Sequence, residues 1–447
     1  MHKKIGLISL GCPKNLVDSE VMLGLLKEKG YTITGNREEA EIIIINTCGF
    51  IDEAKMESIN TILEMAQLKK EHNCELIIVA GCLAERYNTQ IMDEMPEVDG
   101  VIGTGCYDRI YEVIEKSYNG ERPVLYGNPG FCEYSGMNRL ISTPKGYAFL
   151  KIADGCDNSC TYCIIPSLRG KYRSRKFEDI LGEAKYLVQQ GVKEIILVAQ
   201  DTTIYGKDIY GEKKLTPLLN ELSKIDGLEW IRVLYLYPDQ IDDALIEEIA
   251  TNSKLCKYMD IPLQHASDKV LKKMGRRENA EEIRKLISKI RDRIPDIVIR
   301  TSLIVGFPGE EEEDFNILLD FVKEIKFERL GVFIFSKEED TPAAKLKSNI
   351  SRAVMEKRYE NVMLLQKDIQ KELNDQRLNK VYQVLVEGVA DDGIFYYGRS
   401  YAESPDIDGV IYFTSAYPLE LGCFADVKIL NTDDYDLIGV VVNEFTQ

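Results

Sequence analysis

Continuous apolar runs alternate with amphipathic stretches in the first third of the chain. Three runs end in a small-residue turn: "IGLISLG" (5–11), "EIIIINTC" (41–48) and "ELIIVAGC" (75–82). The stretches 16–30 and 51–71 between them have apolar residues at helical spacing. Strands that are apolar on both faces and alternate with helices are typical of a parallel sheet covered on both sides. We therefore predict an N-terminal parallel-sheet α/β domain over residues 1–140.

Six further apolar runs, each followed by a helical pattern, occupy the middle of the chain. They are "YAFLKIADGC", "EIILVAQD", "WIRVLYLYP", "YMDIPLQH", "VIRTSLIVGFP" and "RLGVFIFS". Six successive βα units fit a partial barrel of parallel strands, and the active site of such a barrel lies at the carboxyl ends of its strands. An amphipathic helix follows over about 351–376. We predict this (β/α)6 TIM-like domain over residues 141–376, after an irregular linker at 126–146.

Short β-rich runs separated by Gly and Asp turns make up the end of the chain. Among them are "VYQVLVEGVA", "IFYYGRSY", "GVIYFTS" and "FADVKIL". This pattern predicts a small antiparallel β-barrel, similar to an OB fold, over residues 377–447. The predicted fold class is therefore α/β with three domains, which is an ordinary number for 447 residues.

The sequence contains no stretch of about 20 apolar residues, the length that a membrane helix needs. The N-terminal "MHKKIGLISLGCPK" has only a short apolar stretch and no small-residue cleavage site, so we interpret it as a first strand and not as a signal peptide. We expect a cytoplasmic location and no membrane partner.

Three cysteines stand at equivalent places in the N-terminal domain. Cys12 follows the first predicted strand, and Cys48 and Cys82 close the next two. The carboxyl ends of parallel strands share one edge of the sheet, where ligands bind, so three cysteines there favour metal ligation. A cysteine can also be a simple packing residue. We interpret five others in that way: Cys74, Cys106, Cys132, Cys256 and Cys423.

A second group of three cysteines follows the first strand of the predicted barrel, in "DGCDNSCTYCII" (154–165). Cys156, Cys160 and Cys163 have the spacing C-x3-C-x2-C. Three thiolates hold three irons of a [4Fe–4S] cluster and leave the fourth iron open to a small ligand. A zinc site with a missing ligand is the alternative, and we do not expect disulfide bonds in a reducing compartment.

The motif "CDNSCTYC", with Tyr162 before its last cysteine, resembles the radical S-adenosylmethionine enzymes. The resemblance implies that the cofactor's methionine group chelates the open iron, and that an electron from the cluster then yields a 5′-deoxyadenosyl radical. It makes the three cysteines catalytic. "VAQD" (198–201) and "IPLQH" (261–265) end barrel strands. Gln200 and Gln264, together with Tyr162, are therefore candidate cofactor contacts.

Two further features of the barrel have a less definite interpretation. "SLIVGFPGE" (302–310) resembles the adenine-side motif GxIxGxxE of these enzymes, but has Ser302 at the first Gly and Gly309 where Glu is expected. His265 is as consistent with a structural role as with a functional one.

The whole chain resembles the radical S-adenosylmethionine methylthiotransferases, in which an N-terminal domain with three cysteines precedes the barrel and a β module named TRAM follows it. The resemblance implies a second [4Fe–4S] cluster on Cys12, Cys48 and Cys82. It also implies that one S-adenosylmethionine supplies the methyl group and another the radical.

The methylthiotransferases divide into enzymes acting on adenosine 37 of tRNA and enzymes acting on an aspartate of the small-subunit ribosomal protein S-twelve. The segment "SLGCPKNLVDSE" (9–20) resembles the ribosomal-protein branch, whereas tRNA enzymes tend towards a GCQMN-type sequence. The same branch is resembled by three further segments: "CTYCIIPSLRG", "AQDTTIYG" and "YMDIPLQHAS". The resemblance implies methylthiolation of the aspartate β-carbon. A tRNA adenosine methylthiotransferase is the alternative, and a non-catalytic Fe–S translation or RNA-binding factor is a further one.

The net charge of −18 supports a protein substrate. Residues 378–447 contain three basic and twelve acidic residues, a net charge of −9. A module that binds RNA phosphates is expected to be basic, whereas an acidic one suits a basic ribosomal protein. The acidic surface could instead serve solubility. We therefore expect nucleic acid contact only through the ribosome, if at all.

One basic segment runs against this trend. "RGKYRSRK" (169–176) follows the cysteine loop, and we hypothesise that one of its arginines holds the carboxylate of the substrate aspartate or of the cofactor. An electron donor such as a flavodoxin or ferredoxin completes the expected partners.

Overall fold

The computed structural model describes residues 3–127 and 139–442. Its N-terminal sheet has six strands: β1 (Lys4–Ser9), β2 (Thr32–Ile33), β3 (Ile42–Thr47), β4 (Leu76–Gly81), β5 (Gly100–Ile102) and β6 (Val124–Leu125). They are all parallel, in the order β2-β1-β3-β4-β5-β6. Four helices cover the sheet: α1 (Pro13–Glu28), α2 (Asp52–Glu71), α3 (Cys82–Glu94) and α4 (Ile110–Tyr118).

The two central strands of this sheet, β3 and β4, are buried along their whole length. Ile44 and Ile78 belong to the apolar cluster under α1 and α4, and Ile43 and Ile77 to the cluster under α2 and α3. Successive side chains of a strand point to opposite faces, so a strand between two helical layers must be apolar at every position. This requirement explains the continuous apolar runs of the sequence.

The middle domain contains eight strands: β7 (Tyr147–Lys151), β8 (Ala153–Asp154), β9 (Arg173–Ser174), β10 (Glu194–Val198), β11 (Trp230–Val233), β12 (Leu255–Asp260), β13 (Val298–Val305) and β14 (Arg329–Ile334). Six of them form an open parallel sheet in the chain order β7-β10-β11-β12-β13-β14, and β8 pairs with β9. The sheet is the partial (β/α)6 barrel that the sequence predicts.

Nine helices belong to the middle domain. They are α5 (Ile165–Arg169), α6 (Phe177–Gln189), α7 (Lys207–Tyr210), α8 (Leu215–Ser223), α9 (Asp243–Thr251), α10 (Asp268–Lys273), α11 (Ala280–Arg293), α12 (Glu312–Ile325) and α13 (Arg352–Asp375). Short 3₁₀ helices occur at Arg37–Glu39, Tyr107–Arg109, Pro238–Gln240 and Pro342–Lys345. None of the helices in the described ranges is long and apolar enough to cross a membrane.

The C-terminal domain is a closed barrel of five strands: β15 (Val381–Val389), β16 (Tyr396–Arg399), β17 (Ile411–Thr414), β18 (Phe424–Asp433) and β19 (Asp436–Val441). Four pairs are antiparallel, and β17 and β19 pair in parallel to close the barrel. The predicted small β-barrel is confirmed, with this one parallel pair in an otherwise antiparallel structure.

The C-terminal barrel packs at the amino end of the middle sheet. Arg399 pairs with Glu194, the first residue of β10, over 2.8 Å. The rings of Trp230, the first residue of β11, and Phe424 lie 4.6 Å apart. The barrel therefore leaves the opposite, carboxyl end of the sheet for other contacts, and the loop that carries Cys156, Cys160 and Cys163 lies there.

Candidate active site

Cys12, Cys48 and Cys82 each stand at the carboxyl end of a strand of the first sheet. Cys12 precedes the first turn of α1, Cys48 follows β3, and Cys82 begins α3 immediately after β4. Because β1, β3 and β4 are parallel neighbours, these three positions share one edge of the sheet. Cys12 and Cys48 are half-buried and Cys82 is buried, and none of the three forms a disulfide.

Glycines allow these strand ends to approach closely. A Cβ atom on Gly11 would lie 2.8 Å from the Cβ atom and 3.0 Å from the Sγ atom of Cys48. A Cβ atom on Gly49 would lie 3.0 Å from the carbonyl carbon of Cys82. Side chains do not tolerate contacts this short. Glycine at these two positions therefore brings the segments that carry Cys12, Cys48 and Cys82 together.

The electrostatic surroundings of these thiols differ. Burial acts to raise the pKa of Cys12, but the positive charges of Lys14 and Arg169 outweigh it and the pKa is lowered. Burial, reinforced by the neighbouring Cys82 and Cys12 thiolates, raises the pKa of Cys48 to about 12. Burial also raises the pKa of Cys82. Thiols of this kind lose their protons when a metal cation supplies the compensating charge.

The second group of cysteines lies on the loop between β8 and α5. The loop rests on the end of α10, where the Thr161 amide donates to the carbonyl of Met274 over 2.9 Å. A Cβ atom on Gly275, whose φ is +75°, would lie 2.5 Å from the carbonyl oxygen of Ser159. Only glycine permits this approach, which fixes the loop that carries Cys156, Cys160 and Cys163.

Polar groups surround the sulfur atoms of this loop. The Asn158 amide donates to Sγ of Cys156 over 3.4 Å. The hydroxyl of Tyr237 lies 3.5 Å from Sγ of Cys160, and Nη1 of Arg276 lies 4.0 Å from the same sulfur. Burial raises the pKa of Cys156 to about 11 and that of Cys163 to about 12. Hydrogen bonds to cysteine sulfur are a means by which proteins adjust the potential of an iron–sulfur cluster.

Each of the two groups of cysteines offers three sulfur donors, the donor chemistry that an iron–sulfur cluster takes. Within residues 3–127 and 139–442, no three Cys, His, Asp or Glu side chains are close enough to share one metal ion. In a cluster each thiolate ligates a different iron, so its sulfur atoms stand farther apart than around a single zinc ion.

The two cysteine sites adjoin each other across the domain interface. Cys82 packs in a small apolar cluster with Ile164, which directly follows Cys163, and with Leu168 and Phe50. The hydroxyl of Thr104, at the end of β5, donates to the carbonyl of Leu168 over 2.7 Å, so the N-terminal domain is also hydrogen-bonded to α5. Residues adjacent to both sites thus share one packed core.

A buried charge network spans the same interface. Arg169 donates from Nη2 to Oδ1 of Asn15 over 2.7 Å, and its Nη1 lies 3.1 Å from carboxylate oxygens of Asp18 and Asp154. Lys151 is fully buried and pairs with the same two carboxylates. Cations and carboxylates buried together avoid the large desolvation penalty of an unpaired charge.

The hypothesis that an arginine of the segment 169–176 holds a substrate carboxylate is not supported for the two buried arginines. Arg169 is occupied by the network just described. Arg175 pairs with Glu183 over 2.6 Å and donates to the carbonyl of Lys151. Both guanidinium groups are committed to partners inside the protein.

A further buried cation, Lys14, lies beside the N-terminal cysteines. Lys14 is 7% exposed, and its Nζ atom is 3.3 Å from the centre of the Tyr235 ring. Tyr235 follows β11 at the carboxyl end of the middle sheet and has a φ of +62°. The Tyr235 amide donates to Oδ2 of Asp260 over 3.1 Å, which holds this uncommon backbone conformation.

The three candidate cofactor contacts lie around the cysteine loop. Nε2 of Gln200 donates to Asp154 over 3.0 Å, while its buried Oε1 atom accepts no hydrogen bond from any described residue. Gln264 has a φ of +73° and extends the pairing of β13 through Leu303. Tyr162 packs against an apolar cluster that includes Phe307.

Two barrel residues have clear structural roles. Glu310, one position beyond Gly309, is buried and accepts backbone hydrogen bonds from Gly306 over 2.5 Å and Phe307 over 3.0 Å. The glutamate expected in the adenine-side motif therefore lies one residue later and stabilises its turn. His265 is fully buried, accepts from the Ser267 amide over 2.9 Å, and has its pKa lowered to about 3 by burial.

Sequence reasoning did not identify Lys14, Tyr235 and Tyr237 as site residues. Lys14 stands in a conspicuous "GCPKN" turn, but its partner is 221 positions away in the chain. Tyr235 and Tyr237 belong to the segment "LYLYP", whose sequence pattern indicates only the end of an apolar strand. The domain packing that brings these side chains together has no local signal.

Three families of known domains cover most of the chain. Residues 4–103 match the family described as uncharacterized protein family UPF0004, residues 150–322 match the radical SAM superfamily, and residues 380–442 match the TRAM domain. Among solved structures, the radical S-adenosylmethionine methyltransferase TsrM from Kitasatospora setae, with cobalamin and a [4Fe–4S] cluster bound, is similar at a TM-score of 0.55. The match covers 77% of each chain at 13% identity, so it concerns the fold.

Curated relatives match the chain over its whole length. A protein of Acetivibrio thermocellus named ribosomal protein uS12 methylthiotransferase RimO is 60% identical, over 99% of both chains. A protein of Clostridium tetani with the same name is 52% identical, over 99% of this chain and 98% of its own. The chain therefore belongs to the RimO family of methylthiotransferases, within the radical S-adenosylmethionine superfamily.

Proposed function

We propose that this chain methylthiolates the β-carbon of an aspartate in uS12, the ribosomal protein S-twelve. The proposal includes two [4Fe–4S] clusters and S-adenosylmethionine as both methyl donor and radical source. The observation that carries it is the full-length similarity to proteins named uS12 methylthiotransferase, in a chain whose two three-cysteine sites adjoin.

The six cysteines of the two sites are the proposed cluster ligands: Cys12, Cys48, Cys82, Cys156, Cys160 and Cys163. When bound, the clusters would supply the electron that cleaves S-adenosylmethionine at one site and carry the transferred sulfur at the other. Tyr237 and Arg276 would tune the second site through their proximity to Cys160. The shared core of Cys82 with Ile164 keeps the two sites adjacent.

Three residues are proposed to bind the cofactor. The buried Oε1 atom of Gln200 is an acceptor without a described donor, and an ammonium group of S-adenosylmethionine would satisfy it. Gln264 lies at the carboxyl end of the sheet in a strained left-handed conformation, a feature that is frequent at ligand sites. Tyr162 lies beside Cys160 and would close the site against water.

The acidic C-terminal domain supports a basic protein as the acceptor. Its net charge of −9 over residues 378–447 would attract a basic ribosomal protein and repel free tRNA. The proposed partners are therefore uS12 and an electron donor such as a flavodoxin or ferredoxin. Contact with nucleic acid would occur through the ribosome.

Deletion of the gene in its own organism tests the acceptor. We expect the methylthio group to be lost from uS12 and to be retained on tRNA, as measured by mass spectrometry of both. Re-expression of the intact chain serves as the control and should restore the mark. Loss from tRNA alone would favour adenosine 37 as the acceptor and contradict the proposal.

An assay of the purified protein tests whether it is a radical enzyme or a non-catalytic Fe–S factor. The chain is reconstituted with iron and sulfide and supplied with S-adenosylmethionine and a reductant. We expect 5′-deoxyadenosine to form. A preparation with its full iron content that forms none would contradict the enzymatic proposal.

A further inference from the structure

Lys14 differs from every other buried cation in the described part of the chain. Ten lysine and arginine side chains are buried there, and nine of them form an ion pair with an Asp or Glu. The nine are Arg139, Lys151, Arg169, Arg175, Arg232, Arg276, Arg329, Arg358 and Arg399. Lys14 has the ring of Tyr235 as its neighbour and no carboxylate.

The carboxylates closest along the surrounding elements are already paired. Asp18, one turn further along α1, is shared by Lys151 and Arg169. Asp260, which holds the Tyr235 amide, pairs with Arg300 over 2.7 Å. A buried ammonium group without an anion is costly, and an aromatic ring compensates only part of that cost. Lys14 therefore lacks a carboxylate partner among the described residues, and the negative charge beside it is that of the Cys12 thiolate.

Lys14 also lies where the N-terminal cysteines meet the middle domain. It is two residues from Cys12, and its neighbour Tyr235 belongs to the short segment that ends at Tyr237. The hydroxyl of Tyr237 is 3.5 Å from Sγ of Cys160. A ligand group held by Lys14 consequently lies next to Cys12 and beside the segment that contacts Cys160.

We propose that Lys14 binds the side-chain carboxylate of the substrate aspartate, an inference that rests on the proposed function. In aspartate the β-carbon is bonded directly to the carboxylate carbon, so an ion pair with the carboxylate fixes the carbon that reacts. That carbon must be accessible from both cysteine sites, because one supplies the radical and the other the sulfur. The lysine ammonium has three donors and no acceptor, which suits a carboxylate.

The test is a double-substitution experiment on enzyme and substrate. Dissociation constants are measured for purified uS12 and for uS12 with its target Asp→Asn, on reconstituted enzyme with S-adenosylmethionine and without reductant. We expect wild-type enzyme to bind the aspartate form about tenfold or more tightly than the asparagine form. A Lys14→Met enzyme should bind both forms equally, and Lys14→Arg should keep most of the preference.

The matched control is Lys171→Met, because Lys171 is exposed on the barrel segment after the cysteine loop. It should keep the full preference for aspartate. Iron content and S-adenosylmethionine affinity should be equal in all variants. If Lys14→Met loses iron, Lys14→Gln is measured in its place. The comparison of the two uS12 forms on wild-type enzyme does not depend on any enzyme variant.

Equal affinity of wild-type enzyme for the two uS12 forms would overturn the proposal, as would a preserved preference in Lys14→Met. Weaker binding of S-adenosylmethionine in Lys14→Met would assign the lysine to the cofactor and also overturn it. These failures differ from failure of the proposed function, in which wild-type enzyme does not methylthiolate uS12 at all.

Discussion

Nη2 of Arg169 donates a hydrogen bond to Oδ1 of Asn15 over 2.7 Å, between two residues that are 154 positions apart in the chain. Asn15 lies three residues after Cys12, and Arg169 lies six residues after Cys163. One guanidinium group therefore connects the segments that carry the two cysteine sites. The Nη1 atom of Arg169 binds Asp18 and Asp154, so the connection includes both a hydrogen bond and a buried ion pair.

Replacement of Arg169 by Met is expected to destabilise the domain interface. It leaves Asp18 and Asp154 with Lys151 as their remaining cation, and breaking a buried ion pair costs about 3–5 kcal/mol. The free energy of unfolding from urea titration should fall by this order, and iron retention at the N-terminal site should fall with it. Lys171→Met is the exposed control and should change neither. An unchanged urea midpoint would show that the network does not hold the interface.

Single cysteine variants should separate the two proposed clusters. Wild-type enzyme is expected to bind about eight irons per chain, and Cys82→Ala and Cys163→Ala about four each. Cys82→Ala should still form 5′-deoxyadenosine but transfer no methylthio group, whereas Cys163→Ala should do neither. Cys423→Ala, in the C-terminal domain, should keep all the iron. Full iron content in Cys82→Ala would remove the case for a second cluster.

Gly81→Ala should disrupt the N-terminal site without touching a cysteine. Gly81 has a φ of +96°, and a Cβ atom there would lie 2.3 Å from Oδ1 of Asn46 and 2.5 Å from the carbonyl oxygen of Thr47. The backbone must move and carry Cys82 with it, so iron content should fall by about half. Gly120→Ala is the matched control, since Gly120 has a φ of +82° with nothing within 4 Å. The same iron content in both variants would contradict the steric argument.

His265 should make the free energy of unfolding decrease as the pH is lowered below about 6.5, which is the pKa of its side chain in the unfolded chain. Burial lowers its folded pKa to about 3, so between these values the unfolded chain takes up a proton that the folded chain does not. At pH 5 this costs about 2 kcal/mol, a penalty that His265→Asn removes while its Oδ1 can still accept from the Ser267 amide. Urea unfolding of both proteins at pH 7 and pH 5 measures the difference. Equal losses in the two proteins would contradict it.

Much of the fold could be predicted because buried parallel strands have a simple sequence pattern. The apolar run at 75–82 corresponds to β4 (Leu76–Gly81), and the helix expected at 351–376 corresponds to α13 (Arg352–Asp375). The parallel pairing of β17 with β19 could not be predicted, because strand order in a small barrel depends on its closure and not on local pattern.

The candidate site was predictable only as far as its residues lie at strand ends or in a close motif. Strand topology alone places Cys12, Cys48 and Cys82 at one edge, and their ligation stays a prediction. The ion pair of Arg169 with Asp18 and the stacking of Lys14 on Tyr235 arise between domains, at separations of more than 100 residues. Long-range packing decides these contacts, and a single sequence carries no local record of it.

The central claim is tested most directly by offering purified uS12 and tRNA together to the reconstituted enzyme with S-adenosylmethionine and a reductant. Mass spectrometry of both products then identifies the acceptor. We predict that one aspartate of uS12 gains a methylthio group in place of a hydrogen and that the tRNA is unchanged. Modification of adenosine 37 in the tRNA, with uS12 unchanged, would contradict the account.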